Sequence, residues 1–195
     1  MAFLELAGVA LAALLSENFI LVNCMGIGTR RQSFQDPLDA LRTGYSLTAV
    51  MVLGAFFSWL AEFLVITRFG LQHFRLLFLS LLIPGLVAGL RLFIRAYVPE
   101  LSRRMDGNLA AVSTNCAALG SALLIAQRSY GLGSALTFSL FGGIGATLAL
   151  TSFASLREEV SFDHCPKCFR GTPILLLTAG LMALSLVGFY GLHLS

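Results

Sequence analysis

Few side chains in this sequence carry reactive groups. There are four cysteines, three histidines and ten acids among 195 residues. His164-Cys165-Pro166-Lys167-Cys168 is the densest cluster. Two thiolates from one tight turn make a half-site for zinc or iron, with His164 available as a third ligand. The chain holds no second such pair, so a closed site there needs a neighbouring subunit; the other reading is a pair of exposed, reduced loop thiols. Cys24 and Cys116 share a different setting, within apolar runs. Glu17 and Glu62 interrupt otherwise apolar stretches. An ionised carboxylate is costly in lipid, so each must face protein or water. No nucleophile–histidine–acid set, phosphate loop or dinucleotide fingerprint is present. His73, His164 and His193 fall in loops or at an end, poor placement for membrane haem.

The elements that must position these groups are membrane helices. Hydrophobic residues make up 57% of the chain and charged ones 12%, with a mean hydropathy of +0.84. A soluble domain carries about 25% charge, and half of that leaves too little to wet a surface. A secreted disulfide scaffold, a disordered chain and a nucleic-acid binder are excluded. Uncharged runs extend over residues 43–61, 76–90, 107–127, 129–156 and 171–195, and a first run over 2–22 is broken only by Glu5 and Glu17. A helix crosses the hydrocarbon with about 20 apolar residues, so the expectation is an all-α integral membrane protein of six transmembrane helices. The run ending at Leu90 is short and spans only if Arg91 snorkels. The runs are too long, and alternate too little, for a β-barrel. Met1-Ala2-Phe3-Leu4-Glu5 lacks a basic region, which reads as a retained first span and not a cleaved signal.

Basic residues set the orientation. Arg30, Arg31 and Arg42 lie between spans one and two. Arg91, Arg95, Arg103 and Arg104 lie between three and four, and Arg157, Lys167 and Arg170 between five and six; these are ten of the thirteen Lys and Arg. The other side has Arg68, Arg75 and Arg128. Basic loops stay in the cytoplasm, which puts both termini outside and the Cys165/Cys168 loop inside.

Asn23-Cys24-Met25-Gly26-Ile27-Gly28 and Asn115-Cys116-Ala117-Ala118-Leu119-Gly120 both read N-C-x-x-x-G, 92 residues apart. Each lies in the first span of a three-span half, 1–97 and 98–195. Three is odd, so the second half enters from the opposite side, giving two inverted three-helix repeats in one membrane domain; the bland alternative is a chance match in a Gly- and Ala-rich chain. Gly85 and Gly89 form a small-xxx-small pair in span three, and Gly142, Gly143 and Gly145 cluster in span five. Such residues let helix backbones approach closely.

Several blocks resemble one family. Asn18-Phe19-Ile20-Leu21-Val22 followed by Met25-Gly26-Ile27 is similar to the opening of the A-type membrane component of the Rnf electron-transport complex, and of the related E-type component of the sodium-pumping NADH:quinone reductase. Thr114-Asn115-Cys116-Ala117-Ala118-Leu119-Gly120, Phe153-Ala154-Ser155-Leu156-Arg157-Glu158, Phe169-Arg170-Gly171-Thr172-Pro173-Ile174 and Thr178-Ala179-Gly180-Leu181-Met182-Ala183-Leu184 resemble later family blocks, in the family's order. The resemblance implies a multi-pass subunit of a bacterial inner-membrane, redox-driven ion translocase, not catalytic alone. It also implies a [2Fe-2S] cluster shared with a homologous six-helix subunit, and further Rnf-type subunits as partners. Cys116 matches one family ligand. The other family position falls on Gly28, with Thr29 in place of the following proline. Cys24 lies one turn away, about 6 Å along a helix, and either ligates after a shift of that turn or is a buried structural thiol. Glu17 and Glu62 are then candidates for moving Na⁺ or H⁺ alongside the electron. Gly28 favours the alternative of a cluster-less scaffold subunit or an inverted-repeat transporter.

Overall fold

The structure, a computed structural model, describes residues 8–16, 20, 37–66, 74–97, 116–159 and 172–187. All of the regular structure among them is helical. Helix α1 comprises residues 8–11 and a π-helical turn, Ala12–Ser16. Helix α2, Pro37–Ala61, continues into a second π-helical turn, Glu62–Ile66. Helices α3, Arg75–Tyr97, α4, Cys116–Gln127, α5, Leu132–Glu159, and α6, Thr172–Val187, follow. Each overlaps one of the six apolar runs.

Local sequence accounts for the ends. Pro37 opens α2, where its missing N–H costs nothing. Asp39 in that first turn favours the positive end of the helix dipole and receives Arg42 Nη1 at 3.3 Å. Between α4 and α5 the chain turns in a few residues. Tyr130 N–H donates to Ile125 O at 3.3 Å and Ser129 N–H to Ala126 O at 3.4 Å. This is the paired closure of a Schellman end, with Ser129 in the left-handed position at φ 50°. Ala135 N–H donates to Gly131 O at 2.9 Å and starts α5.

Helices α2 and α5 make the largest interface, with α1 and α4 packed beside them. Leu47, Met51 and Ala146 at this interface are fully buried. Its closeness comes from two glycines. A Cβ on Gly44 would lie 2.7 Å from Thr147 Oγ1, and one on Gly143 would lie 2.7 Å from Thr48 Cγ2 and 2.9 Å from Thr48 Cα. Numbers rise along α2 as they fall along α5, so the two helices run in opposite senses through the crossing. Helix α4 is more than half enclosed, with Ala117, Ala118, Gly120, Ser121, Ala122, Ile125 and Ala126 buried. Hydroxyls in the bundle are satisfied mainly within their own helices: Ser46 donates to Arg42 O at 2.9 Å and Thr151 to Thr147 O at 3.0 Å.

The outer surface is apolar. Leu81 is 75% exposed and Leu184 69%. Residues 38–64 and 132–156, with mean hydropathy of 1.8 and 1.5, are each long enough to cross a bilayer. Among the described residues, the apolar parts of α3, α4 and α6 are shorter than a full span. Gly85 and Gly89 differ from the packing role expected of them. Both are exposed, and a Cβ on either would meet nothing within 4 Å. The close contact inside this chain is made by Gly44 and Gly143 instead.

Candidate functional site

Cys116 is the first described residue of α4, and its thiol is exposed. Most of the rest of that helix is buried, so α4 carries this thiol at one end, as it carries the exposed Gln127 at the other, while its body is held by α2 and α3. Cys24, Glu17, Cys165 and Cys168 lie outside the described residues. Among the described residues no three His, Cys, Asp or Glu side chains come together to hold a metal. An iron–sulfur cluster needs four ligands. An exposed thiol fits a cluster shared with another protein chain better than one enclosed by this chain.

Glu62 stands in the other notable place. It begins the π-helical turn that ends α2, a distortion often met at functional positions. Arg75 Nη2 donates to Glu62 Oε1, tying the end of α2 to the first turn of α3 across residues 67–73. Both side chains are 22% exposed. Arg75 Nε is buried without a hydrogen-bond partner. Sequence reasoning singled out Glu62 and missed this cation, although an arginine just before an apolar run was the available signal.

Glu62 also lines a cavity of about 190 Å³ with Ser58, Trp59, Phe63, Ser129 and Tyr130. Trp59 and Phe63 stack at 5.7 Å on one wall. Ser58 is fully buried and reaches Ala122 O at 3.4 Å. On the Tyr130 side, Arg128 Nη1 donates to Tyr130 Oη at 3.0 Å. Arg128 also lies 5.9 Å from the centroids of both the Tyr130 and Phe138 rings. The cavity therefore brings the end of α2 and the α4–α5 turn to one end of the bundle. Arg42 and the last turn of α5 occupy the other end.

An all-helical bundle closed inward by alanine and glycine, and clad outward in leucine and phenylalanine, has the form of an integral membrane protein. The chain belongs to the Rnf-Nqr family of membrane-protein subunits, matching it over residues 6–193. It is 36% identical over 184 residues to the A component of the ion-translocating oxidoreductase complex of Syntrophotalea carbinolica, covering 94% of this chain and 95% of that protein. The component of the same name from Pectobacterium atrosepticum is 34% identical over 188 residues, 96% of this chain and 97% of that one. The A component of the Na(+)-translocating ferredoxin:NAD(+) oxidoreductase complex of Acetobacterium woodii is 31% identical over 190 residues, 95% and 97% of the two chains.

Proposed function

We propose that this protein is the membrane subunit of an Rnf-like complex that couples electron transfer to ion translocation. The observation that carries the reading is the match to the A component of such complexes over nearly the whole chain. In this reading the chain has six spans, arranged as two inverted repeats, in a bacterial inner membrane, with both termini outside. Its partners are a homologous six-helix subunit and the other Rnf-type subunits.

Cys116 and Cys24 supply this chain's two thiolates to a [2Fe-2S] cluster, and the homologous partner supplies the other two. The exposure of Cys116 supports a shared site. When bound, such a cluster takes up and gives back one electron. The chain's own part is to hold the Cys116 thiolate at a fixed place on a buried helix. Glu62, paired with Arg75 and lining the cavity with Ser58 and Ser129, and Glu17 belong to the ion path. Cys165 and Cys168 are a half-site for a metal completed by a neighbour. Gly28 at the family's other cysteine position favours a second reading, a cluster-less scaffold or transporter.

Cys116→Ala in the purified complex separates the two. The expected outcome is loss of the [2Fe-2S] EPR signal and of electron transfer, with the complex still assembled. Restoring the family residue through Gly28→Cys in a Cys24→Ala background is expected to strengthen the signal. An unchanged signal in Cys116→Ala would leave only the cluster-less reading.

A further inference from the structure

The α2–α5 crossing is built from two copies of one device. Gly44 and Thr48 on α2, and Gly143 and Thr147 on α5, are each four residues apart, and the copies are 99 residues apart. Each glycine receives the other copy's threonine, with no room for a Cβ. Reciprocal contact of this kind, residue i to j and equivalent j to i, defines a local two-fold axis. The axis passes between the threonine hydroxyls, whose oxygens are 3.2 Å apart. Thr48 Oγ1 also lies 2.9 Å from Gly44 O, and Thr147 Oγ1 2.8 Å from Gly143 O. Two hydroxyl protons thus serve three short contacts, and the two ways of sharing them are related by the axis.

Steric fit locks the crossing against sliding. A slip of one turn, about 5.4 Å, would set Thr147 against Ala40 or Thr48 in place of Gly44, and both carry a Cβ. Parting the helices would expose glycine backbone and both hydroxyls to lipid, which offers them no hydrogen bonds. The outer helices are held differently. Most described side chains of α3 and α6 are exposed or half-buried, and Gly85, Gly89 and Gly180 meet nothing.

We infer that this crossing is the fixed pivot of the molecule: α2 and α5 stay locked at Gly44/Thr147 and Thr48/Gly143 while the outer helices move during ion passage. The inference rests on the ion-translocating function proposed for the chain. Its physical basis is symmetry. In an inverted-repeat protein the two access states differ by exchange of the two halves' conformations, and a point on the axis relating the halves is left in place by that exchange.

The test is a Thr48→Cys/Thr147→Cys variant in the assembled complex, oxidised mildly in the membrane, with the wild-type complex treated identically to control for Cys24, Cys116, Cys165 and Cys168. The expected result is a disulfide formed in most molecules, with ion-coupled electron transfer within about two-fold of the reduced variant. A loss of tenfold or more, restored by dithiothreitol, would overturn the pivot. Failure of the disulfide to form would overturn the close approach on which it rests. A wild-type complex lacking ion-coupled electron transfer would overturn the functional reading itself, and the pivot with it. Single Gly44→Ala and Gly143→Ala variants supply a second measurement. Both are expected to lower the amount of assembled complex several-fold, and what assembles should keep the wild-type ratio of ions moved per electron. A changed ratio would show that the crossing moves.

Discussion

Glu62 and Arg75 show how a charge is kept where lipid is close. Each is mostly enclosed, so neither has enough water to replace its partner. Removing the cation alone, in Arg75→Gln, is expected to destabilise the protein by about 1–3 kcal/mol, below the range for a fully buried pair because about a fifth of each side chain still reaches solvent. Glu62→Gln alone is expected to cost a similar amount. The double variant should cost less than the sum, since the change that removes the second charge also removes the need for the first. A detergent-denaturation series on the four proteins measures the coupling, and strict additivity would mean that the bridge does not contribute. At this scale the sequence was half legible. An acid in an apolar run is conspicuous because lipid penalises it, whereas Arg75 looked like an ordinary loop residue until the fold returned α3 to the end of α2. Thr48 and Thr147 were silent for a related reason: a threonine that donates to its own helix has no outward sign in sequence, and only the opposed glycine gives it a role.

Among the elements, the α4–α5 turn carries a visible strain. Ser129 holds a left-handed backbone, which costs an L-residue about 1–2 kcal/mol relative to glycine. Glycine regains that strain but has more freedom to lose on folding, about 0.5–1 kcal/mol. Ser129→Gly is therefore expected to stabilise the protein by about 1 kcal/mol or less, read as a shift in its denaturation midpoint. A destabilisation would mean that the Ser129 side chain, on the wall of the cavity, matters more than its backbone. Each described helix overlaps an apolar run, because a membrane helix is little more than a long uncharged stretch. The runs located the ends less well. The run beginning at residue 129 included the turn, since Ser129, Tyr130 and Gly131 carry no charge to mark it, and α2 begins at Pro37, ahead of its run, because Asp39 and Arg42 sit comfortably at a wet helix end.

For the whole molecule, the arrangement of ends argues for one topology. The cavity joins the end of α2 to the α4–α5 turn. The end of α2 and the α4–α5 turn therefore share an end of the bundle, and the basic residues next to them in the sequence are only Arg68, Arg75 and Arg128. The antiparallel crossing sends Arg42 and the last turn of α5 to the opposite end, the one richer in positive charge in the sequence. Basic residues are retained in the cytoplasm, so the α4–α5 turn is expected outside and the Cys165/Cys168 segment inside. A single-cysteine labelling series measures this without fusions. With the native cysteines replaced, Gly131→Cys should react in intact cells with a maleimide that does not cross membranes. A cysteine introduced at Asp163 should react only after the cells are opened. The opposite pattern would reverse the charge argument and move the Cys165/Cys168 pair to an oxidising compartment, where a disulfide would replace the metal half-site. Labelling of both positions from one side would break the six-span reading itself, because residues 131 and 163 are separated by α5, whose 28 residues extend about 42 Å, more than enough to put its two ends on opposite faces of the membrane.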